Sequence, residues 1–307
     1  MPTQQVNSMA QHPADLAESI NKPRITRKTK TEKTAWVVLA VVAVVIAHTL
    51  ISNPNFEWAT VGRYFFGFPV LKGLLLTIIL TIVSMALGTL IGLVLAVLKI
   101  MNITPITILV DLYLTFFRGT PILVQLIFWF NIAALFPDLF LGIPFTGIGW
   151  EINVNAIMTP LVAAVIGLSL NEGAYTAENI RGGFLSVGKG QLEAADSLGF
   201  SEWTKITRII IPQSLPTIIP ATGNRLIGMF KETTLVSVLG VADLLQSVQL
   251  IYSRNYETIP LLIVACLWYL IITLALSYPQ KKIEDRYSKH KNSGGKVTAT
   301  SEGVKLG

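Results

Sequence analysis

Apolar residues in this 307-residue chain are concentrated in long runs, which shorter polar segments separate. A helix needs about 20 apolar residues to cross the hydrocarbon core of a bilayer. The pattern therefore predicts an all-α, polytopic membrane protein with about six transmembrane helices. The predicted spans cover residues 35–52, 70–98, 121–137, 157–178, 215–238 and 259–278.

The second apolar run carries a small residue at every fourth position. Ser84, Gly88, Gly92 and Ala96 fall on one face of the predicted helix. Small side chains let another helix approach closely, as in the small-xxx-small pattern of membrane bundles. The stripe predicts a tight contact between two helices.

Basic residues are concentrated at the two ends of the chain. Residues 1–34 form a polar, basic segment without an early apolar core, so we expect a disordered tail and not a cleavable signal peptide. Residues 281–307 form a second basic tail. Because Lys and Arg favour the cytoplasmic side, both tails are predicted to be cytoplasmic. Six spans then place the loop 179–214 on the same side and define a transmembrane domain over 35–280.

Composition supports a membrane protein and excludes several other classes. Charged residues make up 14% of the chain and mean hydropathy is +0.59, whereas soluble domains carry roughly 25% charged residues. The net charge of +6 is segregated to particular segments, which fits membrane topology and not nucleic-acid binding. A single cysteine, Cys266, excludes a disulfide within the chain. The three histidines lie far apart in sequence, so no metal site or catalytic triad is indicated.

Part of the loop 179–214 matches the pattern of a phosphate-binding loop. Gly183, Gly188 and Lys189 occupy the glycine and lysine positions of G-x-x-x-x-G-K-[ST]. The last position, however, is Gly190, which has no hydroxyl for Mg²⁺, and no β-strand precedes the motif. We therefore expect no nucleotide to bind to this chain.

The following residues predict a helix, a turn and a second helix. Residues 192–198 favour helix, and Gly199 can adopt the left-handed conformation that ends one. Ser201 can cap the next helix, which Pro212 is expected to end or kink. From the residues alone, this segment is either an ordinary helical hairpin or a surface that inserts into a partner.

The spacing of this hairpin resembles that of a known family. Residues 193–212 read E-A-A-x3-G-x9-I-x-I-P, which is similar to the EAA loop of permeases in binding-protein-dependent ABC importers. Three further stretches resemble the subgroup that imports polar amino acids, and the resemblance covers about residues 70–280. They are FFRGTPILVQL (116–126), AYTAENIRGGF (174–184) and FKETTLVSVLGV (230–241). The residues KETT at 231–234 depart from the KDTS of many relatives.

The resemblance implies a function and a set of partners. The chain would be the permease subunit of an ATP-driven importer in the cell membrane, one half of a homo- or heterodimer, supplied by an extracytoplasmic binding protein. It would not be an enzyme and would bind no cofactor, since ATP and Mg²⁺ would belong to a dimer of ATPase subunits. The residues implied in docking that dimer are Gly190, Gln191, Glu193, Ala194, Ala195, Asp196, Gly199 and Pro212.

Charged residues inside predicted spans mark candidate substrate contacts, because such residues are costly in a membrane. Ser169, Glu172 and Thr176 recur on one helix face, and Tyr175 borders it. Glu172 either accepts the ammonium group of an amino acid or pairs internally with Arg225 or Lys231. The candidate path residues are Gln125, Glu172, Tyr175, Thr176, Lys231, Glu232 and Thr233.

The fifth predicted span contains two charged or polar pairs at i,i+7 spacing and several prolines. Asn224 and Lys231 are seven residues apart, and so are Arg225 and Glu232. Lys231 with Glu232 offers both charges that a zwitterionic substrate needs, or a network that joins helices. The alternative function is a proton-coupled secondary transporter in which Glu172 or Glu232 carries the proton. The docking hairpin would have no purpose in such a carrier.

Overall fold

The structure, a computed structural model, describes residues 30–142 and 149–294. The chain divides into two units, Met1–Phe56 and Glu57–Gly307. In the first unit, helix α1 covers Lys30–Ser52 and a 3-10 turn covers Pro54–Phe56. Residues 31–52 are exposed along the whole helix although most are apolar. This surface fits a helix that is surrounded by lipid.

The second unit is a bundle of helices with one short hairpin of strands. Its elements, in chain order, are α2 (Trp58–Phe65), α3 (Phe68–Ile100), α4 (Thr104–Gly119), α5 (Ile122–Phe130), a 3-10 turn (Ile132–Ala134), β1 (Asp138–Gly142), β2 (Gly149–Asn153), α6 (Val154–Ile157), α7 (Pro160–Leu185), α8 (Lys189–Ser197), α9 (Glu202–Lys205), a π-helical segment (Ile206–Ile210), α10 (Ile211–Glu232), a 3-10 segment (Thr233–Leu239), α11 (Leu244–Asn255) and α12 (Thr258–Gly294).

Among the described residues, three helices are long and apolar enough to cross a membrane. These are residues Thr31–Ser52, Phe68–Ile100 and Thr258–Tyr287, and the number rises to five if each of two bent pairs is one span. α7 has 26 residues, about 39 Å of helix, but its polar residues exclude it from this set. The all-helical membrane fold is therefore confirmed, while six spans remains a prediction.

The predicted span 121–137 is wrong. α5 ends at Phe130 after nine residues and is too short to cross a bilayer. The sequence pattern missed α4, which precedes α5 and meets it at a bend of 104°. Pro121 explains the bend: it has no N–H to donate to the carbonyl of Phe117, so the helix cannot continue through it. Thr120, the residue before Pro121, donates its hydroxyl to the carbonyl of Phe116 at 2.8 Å.

Several predicted loops and tails contain regular structure. The predicted loop 239–258 contains α11, and α12 extends beyond 278 to Gly294, into the predicted basic tail. In the loop 138–156, β1 and β2 pair antiparallel, with Asp138 opposite Asn153. Residues 1–29, most of the predicted N-terminal tail, lie outside the described residues.

The core of the bundle is the contact between α3 and α7, and the predicted stripe forms it. Ser84, Gly88, Gly92 and Ala96 are all buried. A Cβ added at Gly88 would lie 2.6 Å from Cβ of Glu172. A Cβ added at Gly92 would lie 2.7 Å from Cβ of a second residue on the same face of α7, Thr176. The stripe therefore packs directly on the polar face predicted for α7, which confirms the tight contact.

We predict that Gly88→Ala destabilises the protein by about 1–3 kcal/mol, because the added methyl group forces α3 and α7 apart. The measurement is the thermal unfolding midpoint in detergent. Gly182→Ala is the matched control, since nothing lies within 4 Å of a Cβ at that helical glycine. The same change there should be neutral or slightly stabilising. Equal midpoints for the two variants would contradict the close packing.

Candidate functional site

Glu172 lies at the centre of a buried polar cluster that joins α7 to α10. Its side chain has no exposed surface. Oε2 accepts hydrogen bonds from Nε and Nη2 of Arg225, at 3.1 and 2.6 Å, and Oε1 accepts one from the hydroxyl of Thr176 at 2.8 Å. Of the alternatives that the sequence left open, the structure contains the internal pair with Arg225. Pairing of both groups is necessary, because an isolated carboxylate inside a bundle is very costly.

Arg225 connects this cluster to the end of α10. Its guanidinium group lies 3.4 Å from the carboxylate of Glu232, so the predicted i,i+7 pair is present. The guanidinium carbon also lies 4.4 Å from the centre of the Tyr175 ring, within the range of a cation–π contact. Arg225 thus forms a shared centre for two carboxylates and one aromatic ring.

The bend between α4 and α5 is stabilised by two buried amides. Gln125 donates to the carbonyl of Phe117 at 3.0 Å, and Asn171 donates to the same oxygen at 2.9 Å. This is the carbonyl that Pro121 leaves without a helical donor. Asn171 also donates to Oε1 of Gln125 at 3.1 Å. Sequence reasoning missed Asn171, although a buried amide is the side chain expected beside a freed carbonyl.

A cavity of about 320 Å³ lies beside this bend and the Arg225 cluster. Its lining consists of Arg118, Gly119, Thr120, Pro121, Ile122, Asn171, Tyr175 and Glu232. Glu232 and Arg118 are partly exposed, at 31% and 41% of their side chains. The cavity therefore offers a carboxylate, a guanidinium group and an aromatic ring to a small solute. Arg118 also lies 3.6 Å from Glu178, an ion pair that occupies only part of its five N–H donors.

The other predicted path residues are distributed around the cavity and not all within its lining. Gln125 is buried, at 4% exposure, and its amide is used at the bend. Thr233 is fully buried and donates to the carbonyl of Phe230 at 2.7 Å. Lys231 is exposed and does not line this cavity. Consecutive residues of a helix lie on different faces, and accordingly Lys231 is exposed, Glu232 is half-buried and Thr233 is buried.

The hairpin after α7 has the local geometry that the sequence predicts. Gly199 has φ = +71°, the left-handed conformation that ends α8. The hydroxyl of Ser201 accepts a hydrogen bond from the N–H of Thr204 at 3.3 Å and caps α9. The segment Gly183–Lys189 contains no strand: Gly183 lies inside α7, and Gly188 precedes α8. The absence of a strand in this described segment agrees with the rejection of the phosphate loop.

A buried lysine fixes the two arms of the hairpin to each other. Lys205 is 8% exposed, and its ammonium group lies 2.5 Å from carboxylates of both Asp196 and Glu202. Of the two alanines expected in docking, Ala194 is exposed but Ala195 is buried. The other expected docking residues on α8, Gly190, Gln191, Glu193 and Asp196, are exposed.

Three apolar side chains cover the tip of the hairpin. Leu198 is 72% exposed, Phe200 39% and Trp203 66%. A cluster of large exposed apolar residues on an otherwise polar loop is typical of a protein–protein contact. We call these three residues the apolar tip.

Pro212 neither ends the helix nor separates the hairpin from the bundle. The chain widens into the π-helical segment Ile206–Ile210 and continues as α10. A π turn is a usual way for a helix to pass a residue that cannot donate to the i−4 carbonyl. The expectation that Pro212 ends the helix is therefore wrong, while the alternative, a kink at Pro212, stays a prediction. α9, the π-helical segment and α10 follow one another without a break from the hairpin into the bundle.

The described residues contain no group of three or more His, Cys, Asp or Glu side chains that are placed to hold a metal ion. The charged groups of the site are instead paired with one another.

Comparisons with known proteins identify the family. Residues 88–289 match the family described as "Binding-protein-dependent transport system inner membrane component". The chain is 38% identical to the arginine transport system permease protein ArgU of Corynebacterium glutamicum, and the match covers 83% of this chain and 80% of that protein. It is 35% identical to the L-cystine transport system permease protein TcyB of Bacillus subtilis, with 76% and 92% covered.

A solved structure agrees with these sequence matches. The crystal structure of an amino acid ABC transporter with histidines superposes with a TM-score of 0.61 at 36% identity, covering 71% of this chain and 94% of that chain. The chain is a multi-pass protein of the inner membrane and a transport component, not a catalytic one. A binding-protein-dependent system implies an ATPase and a binding protein as partners. The chain belongs to the inner membrane component family of binding-protein-dependent transport systems and is the permease component of an ABC importer for amino acids.

Proposed function

We propose that the chain crosses the membrane six times, with both termini and the hairpin 189–212 in the cytoplasm. α7 covers most of the predicted span 157–178. It is long enough to cross the membrane, and its polar residues are buried against α3 and α10. Both basic tails then face the cytoplasm, in agreement with the positive-inside rule. In this arrangement residues 35–280 form the permease domain, residues 1–34 and 281–307 are its tails, and the loop 179–214 is the coupling segment.

The hairpin is the proposed docking surface for the ATPase subunits. The apolar tip supplies a contact area, and exposed polar residues such as Glu193 surround it. Lys205 holds the two arms together, and the helix continues from α9 into α10. A displacement of the hairpin would therefore move α10, which carries Arg225 and Glu232 at the cavity. ATP and Mg²⁺ remain on the ATPase, since the permease family binds no cofactor.

We predict that Gly199→Val weakens binding of the ATPase subunits on the order of tenfold, because a side chain in the left-handed conformation costs about 1–2 kcal/mol and shifts the hairpin. The measurement is the affinity between the purified permease and its ATPase. Gly188→Val is the control: its backbone has φ = −62°, and nothing lies within 4 Å of a Cβ there.

Equal ATPase affinity of both variants and the unchanged chain would contradict the docking role. Retained insertion and an unchanged unfolding midpoint in Gly199→Val would show that only the hairpin is affected. Transport without any ATPase would support the alternative function, a proton-coupled carrier. The family membership of the chain argues against that alternative.

The single observation that carries the substrate proposal is the cavity beside Glu232. A polar amino acid needs an acceptor for its ammonium group and a donor for its carboxylate, and Glu232 and Arg118 supply both. Tyr175 supplies an aromatic wall. Glu172 forms a buried hydrogen-bonded cluster with Arg225 and Thr176, and this cluster keeps Glu232 and Tyr175 in place. Gln125 and Thr233 are buried and stabilise the backbone next to the cavity. Lys231 is exposed and attracts the carboxylate of the solute to the path.

The proposed path is completed by a second permease subunit, identical or different, and a binding protein delivers the amino acid from the outer side. ATP binding by the docked ATPases shifts the bundle between inward-open and outward-open states, because each ligand binds the two states differently. The proton-coupled alternative leaves the docking hairpin without a purpose, and the membership of the chain in the binding-protein-dependent family argues against it.

We predict that Glu232→Gln raises the substrate concentration for half-maximal transport about 10- to 100-fold, as expected when a charge-assisted hydrogen bond is lost. The measurement is uptake of arginine, histidine and cystine by proteoliposomes that contain the permease, its ATPase and the binding protein. Glu232→Asp, which keeps the charge, should restore part of the affinity. An unchanged concentration dependence for all three amino acids would contradict the role of Glu232.

For Glu172→Gln we predict a loss of stability and not a change in the concentration dependence of transport. Removing this carboxylate leaves a buried guanidinium group partly unpaired and should destabilise the protein by about 3 kcal/mol. The measurement is the unfolding midpoint together with the uptake kinetics of the protein that folds. A change of substrate selectivity with normal stability would instead make Glu172 the substrate contact.

A further inference from the structure

A groove of about 690 Å³ lies between the first half of α3 and α11, and none of its lining residues belongs to the cavity beside Glu232. The N–H of Leu244, at the start of α11, donates to the hydroxyl of Thr77 at 3.0 Å. At the other end of α11, Asn255 donates to the hydroxyl of Tyr64 at 3.2 Å. The two helices therefore run antiparallel along the groove, with the end of α11 beside the start of α3.

The walls of the groove are apolar and come from one face of each helix. Leu75, Leu76 and Ile79 recur on α3 at helical spacing, and Leu250 and Ile251 face them from α11. Leu75, Ile79 and Leu250 are exposed in the chain, at 57%, 48% and 47%. This surface lies within the length of α3 that crosses the membrane.

Two cations lie together at one end of this apolar groove. Lys72 is near the start of α3, and Arg254 is in the last turn of α11, so the antiparallel packing brings them to the same end. Both side chains are exposed, and neither forms an ion pair with a described residue. No acidic side chain is among the lining residues of the groove in the described part of the chain.

A cationic end and an apolar length match an anionic amphiphile. We propose that the groove binds a phospholipid with a net negative head group, its phosphate between Lys72 and Arg254 and an acyl chain along Leu75, Ile79 and Leu250. A small soluble anion would leave the apolar walls uncovered. A zwitterionic lipid would bring its own cation towards Lys72 and Arg254, which the charge of the groove disfavours.

The position of the cations agrees with the depth of a head group. Lys72 is the fifth residue of the span that starts at Phe68, so its ammonium group reaches the membrane–water interface. Each basic residue near that interface raises the affinity of the protein for anionic lipid about fivefold. Because α11 connects α10 to α12, a lipid here would hold the end of the bundle opposite the hairpin.

The experiment uses the full chain in nanodiscs or neutral detergent, with phosphatidylglycerol as the probe and phosphatidylcholine of the same acyl chains as the reference. Native mass spectrometry counts the lipids that remain bound. We expect preferential retention of phosphatidylglycerol, reduced about fivefold in Lys72→Gln or Arg254→Gln and about 25-fold in the double variant. Arg63→Gln is the matched control, because Arg63 is an exposed cation of α2 that does not line the groove.

Three outcomes would overturn the proposal. The first is equal retention of the two lipids, or the same loss in Arg63→Gln as in Lys72→Gln. The second is displacement of the lipid by millimolar inorganic phosphate, which would make the site one for free anions. The third is efficient crosslinking between two copies of a Leu250→Cys, Cys266→Ser chain in membranes, which would show that a second copy fills the groove. Unchanged unfolding midpoints in the glutamine variants confirm that the fold is intact.

Discussion

The need to pair one buried carboxylate determines much of this bundle. Glu172 lies in the middle of α7 with no exposed surface, where an unpaired charge would be very costly. Arg225 and Thr176 satisfy it, and this fixes α10 against α7. Gly88 makes the arrangement possible from the other side, since any side chain there would collide with Glu172. Three helices are thus held by one charge and its neighbours.

The same pairing separates structural charges from available ones. Arg225 forms a hydrogen bond of 2.6 Å with Glu172 but lies 3.4 Å from the carboxylate of Glu232. Glu232 therefore remains partly exposed towards the cavity. The bend at Pro121 opens space beside it, and Gln125 and Asn171 satisfy the carbonyl that the proline frees. The proposed solute site lies where a broken helix meets a carboxylate that is only partly paired, as expected for irregular backbone at membrane depth.

The hairpin is connected to this site through continuous helix. Because the π-helical segment lets the chain pass Pro212, α9 and α10 form one path between the apolar tip and Glu232. Lys205 makes the hairpin rigid by holding carboxylates from both of its arms. In the proposed function, this helical path transmits the movement of a docked ATPase to the cavity wall without a flexible linker.

The sequence by itself determined the features that depend on local pattern. Apolar runs indicated a helical membrane protein, the stripe from Ser84 to Ala96 indicated a tight contact, and the EAA spacing indicated the family; the left-handed Gly199 also followed from its turn. Tertiary structure alone decided which polar groups meet. The choice of Arg225 over Lys231 as partner of Glu172, the burial of the polar face of α7, and the use of Asn171 to satisfy the carbonyl that Pro121 frees depend on contacts between residues far apart in sequence. Hydropathy and helical spacing do not encode these contacts.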